Sequence, residues 1–524
     1  MPCLKSEGMM EAMKQVKAIF TLLCIGSLFT FFPEMPAAWA AGDSLPVNQM
    51  EQIVKKRMDE GKIPGMAVVV VRDDQVDYKK GFGYADRRAQ RPVTPSTLFE
   101  IGSTTKAFTG LAVLQLEKQG LIRLQDPVSR YLPWFHLHYK GKKQPITIEQ
   151  LLHHTSGIPF ESIGRIPAGS GEDALENTVR TLVGGELKHP PGKKYHYATI
   201  NYDVLGLIIQ QVTGQPYETY MRKQVIQPLG LRHTYVGRQD GGYREPLAQG
   251  YKIGFLGPRL YKAPTYRGNT PAGYIITNAD DVAQWLKVQL KTERTKIDQK
   301  LIDDSHRPDR SVRPSDDGAF YGAGWMVRPG DNGELFHGGS NPNYSSFFIV
   351  RPEDRMAVGI LANLNSAHAH SAAREIMNAV TGARESPELS DSFQPVDKAA
   401  VGILSVLAPI LLLVIIGAGM RVRRIVQGKR RFVRLDRKRT VFLGLAAGLS
   451  VLFFLSIYNA PKVLFQGLPW DFVKVWGPSS VMVAVGTVLF LGSACFFYTL
   501  LTLLTVQADD HTAVDPGKGQ IRSG

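Results

Sequence analysis

Cysteine is scarce in this sequence, and the few cysteines lie near its ends. Only three occur in 524 residues: Cys3 and Cys24 near the N-terminus and Cys495 near the C-terminus. The long stretch between Cys24 and Cys495 contains none, which excludes a disulfide framework and cysteine-ligated zinc from that part of the chain. A domain in this stretch must be stabilised by its hydrophobic core.

Metal-binding patterns are missing as well. Two histidine pairs, His136 with His138 and His153 with His154, have neither a cysteine nor a carboxylate at ligand spacing beside them. We therefore expect no metal site and no other cofactor.

Long apolar runs occur mainly at the two ends of the chain. Three runs near the C-terminus have the roughly 20 apolar residues that a membrane span requires; they cover residues 399–420, 440–458 and 480–506. The loop between the first two carries ten basic residues and one acid, a bias typical of cytoplasmic loops. We therefore expect a multi-pass protein of the plasma membrane, with residues 42–398 outside the cell and the tail 507–524 inside.

The same loop accounts for most of the excess positive charge of the chain. The 62 lysines and arginines exceed the 47 acidic residues by 15, and about nine of these charges belong to the loop. We expect no nucleic-acid partner, because the positive charge is concentrated where membrane topology requires it. Anionic membrane lipid suits such a loop, and glycines in the first and third runs could support a homo-oligomer.

The N-terminus has the pattern of a secretory leader. Two lysines precede the apolar run 18–32, and small residues at positions 38 and 40 suit a signal peptidase. We expect a signal peptide within residues 1–41, cleaved after Ala40. An uncleaved anchor is the alternative, and Met9, Met10 and Met13 are alternative starts.

Residues 44–382 have the pattern of an α+β domain. The predicted strands cover residues 66–72, 76–82, 335–337, 345–350 and 356–363. The predicted helices include residues 48–60, 202–212 and 372–380. Strands at both ends of the domain predict an α/β sandwich, with an antiparallel sheet flanked by helices and an all-helical insert beside it. The polar residues 383–398 would form a linker to the spans.

A serine and a lysine three residues apart mark the most reactive stretch of this domain. Apolar residues recur at helical spacing from Lys106 onward, so Ser103 lies at or just before the first turn of a buried helix, where side chains three residues apart share one face. A serine hydroxyl needs a base to become a nucleophile, and a lysine can serve only if burial lowers its pKa from about 10.4. A capping serine beside a solvated lysine is the alternative interpretation of this pair alone.

Five motifs in a fixed order strengthen the catalytic interpretation. They are residues 98–106, the Leu-Leu-His-His-Thr-Ser-Gly sequence at 151–157, the Pro-Gly before Tyr195-His196-Tyr197, Pro271-Ala272-Gly273, and His337-Gly338-Gly339. In this order they resemble the serine β-lactamase-like hydrolases, which include class C β-lactamases, penicillin-binding DD-peptidases, D-amino-acid peptidases and esterases. The resemblance covers about residues 45–380.

The resemblance implies an acyl-enzyme mechanism. Ser103 would be the acylated nucleophile, Lys106 its partner, and Tyr197 a third member whose phenol pKa the Lys106 cation would lower for proton relay. The oxyanion hole would consist of the backbone amides of Ser103 and Ser340.

The expected substrate-binding residues depart from the family pattern at two positions. Thr199 stands where the family usually has the asparagine of Tyr-x-Asn, and His337, Gly338 and Gly339 replace Lys-Thr-Gly. The glycines would let substrate approach the strand edge, and Asn341 follows on the same strand. Because neutral histidine replaces a cation only in part, we expect an ester or amide without a free carboxylate, rather than penicillin or a D-Ala-D-Ala terminus.

The three C-terminal spans suggest a narrower resemblance. A secreted domain of this family with such spans is similar to the membrane-bound peptidases that remove an N-acyl-D-asparagine leader from nonribosomal-peptide prodrugs. In those enzymes a glutamate three residues before the nucleophile and a hydroxyl two residues after the tyrosine help to bind the D-residue. Glu100 and Thr199 hold these positions, although a glutamate at a helix start also has a structural explanation.

The sequence therefore predicts a membrane-anchored, extracytoplasmic serine hydrolase that cleaves an amide or ester of a small peptide or acyl-peptide. Two alternatives stay open: a penicillin-interactive DD-carboxypeptidase or β-lactamase, and a catalytically silent sensor of cell wall or antibiotic. Intact Ser103, Lys106 and Tyr197 favour the enzyme, because a binding protein has no need for all three.

Overall fold

The computed structural model describes residues 45–238, 242–330, 333–383, 391–465 and 467–508. The expected signal peptide, residues 1–41, lies outside the described residues, as does most of the expected cytoplasmic tail.

Short and long strands alternate with helices through the first part of the chain. The strands are β1 (Gly65–Arg72), β2 (Gln75–Asp86), β3 (Arg91–Pro92), β4 (Phe99–Glu100), β5 (Leu137–Tyr139), β6 (Lys142–Gln144), β7 (Tyr235–Val236), β8 (Tyr251–Gly254), β9 (Gly257–Leu260), β10 (Ile275–Thr277), β11 (Phe320–Tyr321), β12 (Met326–Val327), β13 (Leu335–Asn341), β14 (Tyr344–Arg351) and β15 (Met356–Ala362).

The α-helices of the same part are α1 (Val47–Gly61), α2 (Lys106–Lys118), α3 (Ile148–Leu152), α4 (Ala174–Arg180), α5 (Ile200–Thr213), α6 (Tyr217–Met221), α7 (Thr270–Gly273), α8 (Ala279–Gln289), α9 (Gln299–Ser305) and α10 (Ala367–Thr381). Short 3-10 turns cover Gly102–Thr105, Val128–Arg130, Phe160–Arg165 and Arg267–Asn269.

An eight-stranded antiparallel sheet forms the centre of the domain. Its order is β11-β12-β13-β14-β15-β1-β2-β3, so strands from the end of the domain pair with strands from its start. In the joining pair of β1 and β15, Met66 lies opposite Ala362 and Arg72 opposite Met356. β1 is buried along nearly its whole length, as its continuous valine run predicts. The predicted antiparallel sheet is therefore confirmed.

Helices cover both faces of this sheet. α1 and α10 pack together, with α10 against β14 and β15, whereas α8 packs on β1 and β15. Neighbouring residues of β14 point to opposite faces: the Phe347 ring contacts His370 of α10, and Phe348 lies near Gly359 and α8 in the main core. This arrangement confirms the predicted α/β sandwich.

A helical region lies beside the sheet and is centred on α2. This helix is buried along most of its length and packs against α5, α7 and α9. Its Phe108 stacks on Trp285 of α8, with ring centroids 4.1 Å apart. Because α2 contacts both the helical region and the sheet layer, its N-terminus is fixed at the boundary between them.

Three long apolar helices follow the domain. α11 (Phe393–Val426), α12 (Arg437–Leu464) and α14 (Ser479–Leu504) are long and apolar enough to cross a membrane, and the short helix α13 (Trp470–Trp476) lies between the last two. α11 and α12 each pack along α14. In the basic loop after α11, β16 (Arg430–Phe432) pairs with β17 (Thr505–Gln507). The basic loop and the end of α14 therefore lie at the same end of the bundle.

Some boundaries differ from those expected from the sequence. α11 begins at Phe393, so residues 393–398 are helical rather than part of a linker. The Asp391 carboxylate accepts a hydrogen bond from the Phe393 amide at 2.9 Å, a helix-start signal hidden among polar residues. The third apolar run was expected to extend to residue 506, but its helix, α14, ends at Leu504 because the following residues form β17 and pair with β16.

A buried carboxylate joins the domain to the apolar helices. Asp397 of α11 is only 1% exposed. It accepts hydrogen bonds from the backbone amides of Phe255 at 2.9 Å and Leu256 at 2.7 Å, and from the hydroxyl of Ser480 on α14. Phe255 and Leu256 form the turn of the β8–β9 hairpin. Asp397 therefore clamps this hairpin onto α11 and α14.

Replacing Asp397 by alanine is expected to free the hairpin. Two amides would lose their acceptor, at a cost of about 1–3 kcal/mol for a buried unsatisfied group, so deuterium exchange at Phe255 and Leu256 should accelerate by about 10-fold or more. Hydrogen exchange on the full-length protein measures this effect. Lys398→Ala, at the exposed neighbouring position, is the control. Unchanged exchange in Asp397→Ala would contradict the clamp.

Candidate active site

Ser103 lies in a tight turn that leads into α2. The 3-10 turn Gly102–Thr105 continues directly into the helix at Lys106. Gly102 has a φ of +52°, a left-handed conformation that glycine adopts without strain. The turn and the first helical residue place the Ser103 and Lys106 side chains together, as their spacing predicts.

Two glycines bring the sheet against this turn. A Cβ atom at Gly102 would collide with the amide nitrogen of Ser340 on β13, and one at Gly339 would collide with the carbonyl oxygen of Ile101. Glycine at both positions therefore allows β13 to lie directly against the serine turn. This contact puts the Ser340 amide beside the turn that carries the candidate nucleophile.

The Lys106 amine lies in a cage of three oxygen atoms. The side chain is fully buried, and Nζ lies 3.0 Å from Ser103 Oγ, 3.0 Å from Thr199 Oγ1 and 2.8 Å from the carbonyl oxygen of Ala272. An ammonium would donate to all three, whereas a neutral amine donates two protons and accepts one. The Ser103 hydroxyl can therefore donate to neutral Lys106, which is the arrangement that a base requires.

Burial favours the neutral form of Lys106. It lowers the pKa of Lys106 to about 7, and Asp203 opposes this only in part. Burial also raises the pKa of the Asp203 carboxyl well above its usual range. The Asn269 side chain faces this carboxyl, and with its amide nitrogen oriented toward Asp203 it donates to the two carboxyl oxygens at 2.9 and 3.0 Å. A raised pKa reduces the ionised fraction of Asp203, so this carboxyl offsets the effect of burial on Lys106 only in part.

Tyr197 joins the same cluster. Lys106 Nζ lies 5.2 Å from the centroid of the Tyr197 ring. The expectation that Lys106 lowers the pKa of this phenol is wrong: burial raises the pKa of Tyr197, and hydrogen bonding to Ser103 and Thr199 offsets this only in part. The Tyr197 side chain is fully enclosed, so the loss of phenolate solvation dominates the shift. Tyr197 is therefore protonated and can donate a hydrogen bond.

A buried histidine supports the tyrosine. The His154 ring lies 4.3 Å from the Tyr197 ring between centroids. Its Nδ1 accepts from the backbone amide of Ala198 at 3.3 Å and lies 3.0 Å from Asn201 Nδ2. The sequence motif contained His154, but its spacing gave no sign that it would contact a tyrosine 43 positions later.

Two residues expected to bind substrate, Glu100 and Asn341, contact each other. The fully buried Glu100 accepts hydrogen bonds from Arg238 Nε at 3.1 Å, Arg238 Nη2 at 2.9 Å and Asn341 Nδ2 at 2.8 Å. Asn341 also donates to the carbonyl oxygen of Gly273 at 3.0 Å. Arg238 was missed in the sequence because it lies in no motif. The three side chains form a polar support under the serine turn.

His337 is also engaged within the protein. Its Nε2 lies 3.0 Å from the hydroxyl of Tyr321, and its Nδ1 lies 2.7 Å from the carbonyl oxygen of Gly338. Burial lowers the pKa of His337 to about 3, so the ring is neutral at physiological pH. Gly338 is backed by the ring of His370. At this position β13 therefore presents no cationic side chain.

The predicted site residues thus separate into two groups. Ser103, Lys106, Tyr197 and Thr199 meet in one cluster, with Gly339 and Ser340 of β13 against it. Glu100, Asn341 and His337 lie around the cluster and are held by other protein groups. Their roles toward a substrate stay predictions.

Comparison with known proteins agrees with this geometry. A sequence profile of the family described as Beta-lactamase matches residues 50–381. Protein flp of Staphylococcus aureus strain MRSA252 is 31% identical over 462 residues, covering 88% of this chain and 90% of flp. The octameric penicillin-binding protein homologue from Pyrococcus abyssi superposes with a TM-score of 0.57 and 27% identity, over 69% of this chain and 82% of that one.

An esterase-like neighbour widens the comparison. EstCE1, a hydrolase with promiscuous acyltransferase activity, superposes with a TM-score of 0.54 and 25% identity, over 64% of this chain and 98% of that one. The α/β sandwich and the Ser-Lys-Tyr cluster define a β-lactamase-like serine hydrolase. The chain belongs to the Beta-lactamase family, as its ordered motifs predicted.

Activity is expected to rise with pH through about 7. Lys106 must be neutral to accept the Ser103 proton, and its pKa is about 7, so kcat/KM for an ester should show an ascending limb with that midpoint. Lys106→Arg, which stays charged, should lose about 10²–10⁴-fold in rate. Lys118→Arg at the exposed end of α2 is the control. A midpoint close to the ordinary lysine value of about 10.4 would contradict a neutral base.

Glu100→Ala is expected to lower the stability of the domain, and not only to change substrate binding. Removing one partner of a buried ion pair leaves the charge of Arg238 uncompensated and costs about 3 kcal/mol or more. Glu100→Gln keeps hydrogen-bonding oxygen and should lose less. Thermal unfolding of the parent protein and both variants measures the difference. Unchanged stability in Glu100→Ala would show that this carboxylate does not stabilise the folded domain.

Proposed function

We propose that this protein is a membrane-anchored serine hydrolase that acts outside the cell and cleaves an ester or amide of a small peptide or acyl-peptide through an acyl-enzyme. The observation that carries the proposal is the buried Lys106 amine, 3.0 Å from the Ser103 hydroxyl and with a pKa lowered to about 7. A buried lysine with a strongly lowered pKa beside a serine hydroxyl is typical of a functional site rather than of a structural one.

The proposed acylation step uses the neutral amine as the base. Ser103 Oγ attacks the substrate carbonyl as its proton passes to Lys106, and the backbone amides of Ser103 and Ser340 stabilise the resulting oxyanion. One such donor typically contributes about 100-fold to 1,000-fold to turnover. The tetrahedral intermediate then expels the alcohol or amine, which takes the Lys106 proton through the Tyr197 hydroxyl.

Deacylation reverses this proton path. A water molecule attacks the Ser103 ester while its proton passes through Tyr197 to Lys106. Collapse of the second intermediate releases the carboxylic acid, and Ser103 Oγ regains its proton from Lys106. A protonated Tyr197 suits both steps, because each requires a group that donates one proton while it accepts another.

The charges around the cluster support a substrate without a free carboxylate. His337 is neutral, and the Arg238 charge is compensated by Glu100. An N-acyl-D-asparagine amide is one candidate within this class. To bind such a substrate, Glu100 would have to exchange its contacts with Arg238 and Asn341, and Thr199 its contact with Lys106.

The proposed outward orientation is supported by the positions of the domain and the basic loop at opposite ends of the helix bundle. The hydrolase domain contacts α13, where Lys252 donates to the carbonyl oxygen of Lys474 at 2.9 Å. α13 follows α12, whereas the basic loop precedes it, so the domain and the basic loop lie on opposite sides of a membrane. The positive-inside rule then puts the domain outside. The exposed apolar surface of α12 suits membrane lipid or a second copy of the chain.

A fluorophosphonate probe is expected to label the solubilised full-length protein at Ser103. Ser103→Ala should abolish labelling, because no activated hydroxyl remains, whereas the control Ser96→Ala at an exposed position should label normally. Gel fluorescence with peptide mapping measures this. Folded parent protein that does not label would favour the sensor.

Turnover of different substrates distinguishes the proposed hydrolase from a β-lactamase or carboxypeptidase. Short-chain esters and acyl-D-asparaginyl amides are expected to turn over faster than nitrocefin, whose carboxylate finds no uncompensated cation at the described part of the site. Rapid nitrocefin hydrolysis would contradict the substrate class and support a β-lactamase or carboxypeptidase.

A further inference from the structure

The β8–β9 hairpin carries the most exposed large apolar side chains of the hydrolase domain. Among the described residues of this domain, only Leu256 and Leu260 are large apolar residues exposed by more than half, at 56% and 60%. Phe255, beside Leu256 in the turn, is also exposed. Exposed apolar side chains scattered singly need no explanation, whereas a group of them on one element marks an interaction surface.

The turn of this hairpin has a geometry that favours other residues. Phe255 and Leu256 are its two loop residues, and Gly254 pairs with Gly257 on either side of them. Phe255 has a φ of +53° and Leu256 a φ of +66°. A two-residue turn with positive φ at both positions favours asparagine and glycine, and bulky side chains rarely adopt this conformation. The turn itself gains nothing from phenylalanine and leucine, which points to a contact outside it.

The first apolar helix fixes the level of this turn relative to a membrane. Asp397 of α11 accepts hydrogen bonds from the amides of Phe255 and Leu256 and lies two residues before the apolar run 399–420. Two residues correspond to about 3 Å along a helix. The headgroup region extends roughly 5–7 Å beyond each side of the hydrocarbon core. The turn therefore lies where lipid headgroups meet the acyl chains.

The neighbouring helices agree with this level. A Cβ atom at Gly254 would collide with Ser479, the first residue of α14, so glycine allows β8 to lie against the start of this helix. β8 also packs on α11. α13, between α12 and α14, begins at Trp470 and ends at Trp476. Tryptophan is typical of the membrane–water boundary, so the hairpin and α13 both belong to this boundary.

The charge of the hairpin suits a lipid surface. Residues 251–262 contain the basic residues Lys252, Arg259 and Lys262 and no acidic residue. The guanidinium carbon of Arg259 lies 5.8 Å from the centroid of the Phe255 ring. A cation therefore lies directly beside the apolar turn. Segments that bind a membrane surface combine such groups, because apolar side chains contact acyl chains while basic side chains contact phosphates.

We propose that the β8–β9 hairpin inserts its turn into the membrane surface, with Phe255 and Leu256 among the acyl chains and Arg259 at the lipid phosphates. The partner is the lipid bilayer itself. The contact restricts rotation of the hydrolase domain about its apolar helices and so sets the height of the active site above the membrane. The inference rests on the membrane-spanning part of the proposed function and does not depend on the chemistry at Ser103.

Spin labels on single cysteines test this contact in the full-length protein in lipid nanodiscs. Cys3→Ser, Cys24→Ser and Cys495→Ser remove the native thiols, and Leu256→Cys carries the label. Power-saturation electron paramagnetic resonance compares collisions of the label with oxygen, which concentrates in lipid, and with a nickel chelate, which stays in water.

Two exposed positions provide the references. Leu121→Cys, just after α2 at a side chain 49% exposed, is the reference for water, and Val451→Cys in the middle of α12, 57% exposed, is the reference for lipid. Compared with the label at position 121, the label at position 256 is expected to collide more with oxygen and less with the nickel chelate, as the label at position 451 does.

A second measurement needs no cysteine and decides the question if Leu256→Cys does not fold. A phospholipid with a diazirine on its acyl chain should cross-link to the hairpin peptide of the unmodified protein and not to the peptide that contains Leu121. Phe255→Asn combined with Leu256→Gly supplies the residues that the turn favours. This double variant should keep its thermal stability and lose most of the hairpin cross-links, whereas the control Leu121→Asn should keep them.

The possible failures are distinguishable. If the label at position 451 is in lipid but the label at position 256 is as accessible to nickel as that at position 121, the inference is overturned and the membrane-spanning proposal stands. If position 451 is also accessible to nickel, both fail. Retained cross-links in the double variant would equally overturn the inference. A label at position 256 that is shielded from both reagents and broadened by a second label would assign the turn to a contact between two copies of the chain, which overturns the lipid assignment.

Discussion

The removal of the Lys106 amine from water is the constraint on which the rest of the site depends. A solvated lysine is charged at neutral pH and cannot accept the proton of a serine. Here α2, α5 and α7 close around the amine, and Ser103, Thr199 and the Ala272 carbonyl replace its water. Burial also raises the pKa of the Asp203 carboxyl, which weakens the negative charge that would otherwise favour the ammonium.

The sheet contributes the other side of the active site through β13. β13 can approach the serine turn only because Gly102 and Gly339 have no side chains to separate them. Behind this contact, Glu100, Arg238 and Asn341 satisfy one another, so the carboxylate under the turn is neither free nor unpaired. Glu100 and Asn341, which the sequence suggested for substrate binding, are thus also part of the packing around the serine turn. Through the hairpin and α13, the same domain is also attached to the apolar helices.

Local patterns predicted much of the fold. The valine-rich strand β1, the helices predicted at residues 48–60 and 202–212, and the Ser103–Lys106 pair are all encoded within short segments. The partners of Glu100 and His337 were not predictable, because Arg238 and Tyr321 are brought to them only by tertiary packing. The direction of the Tyr197 pKa was wrong because no sequence pattern states how completely a side chain loses its water. The start of α11 was missed because Asp391 stands among other polar residues.

The central claim is that burial lowers the pKa of Lys106 to about 7, so that a substantial fraction of the amine is neutral near physiological pH. Direct titration of its side-chain signal tests this most closely, by NMR of selectively isotope-labelled lysine with Lys106→Met to assign the resonance. The structure predicts a midpoint near 7, clearly separated from the exposed lysines. A Lys106 signal that titrates with them near about 10.4 would contradict the account, because Ser103 would then have no base.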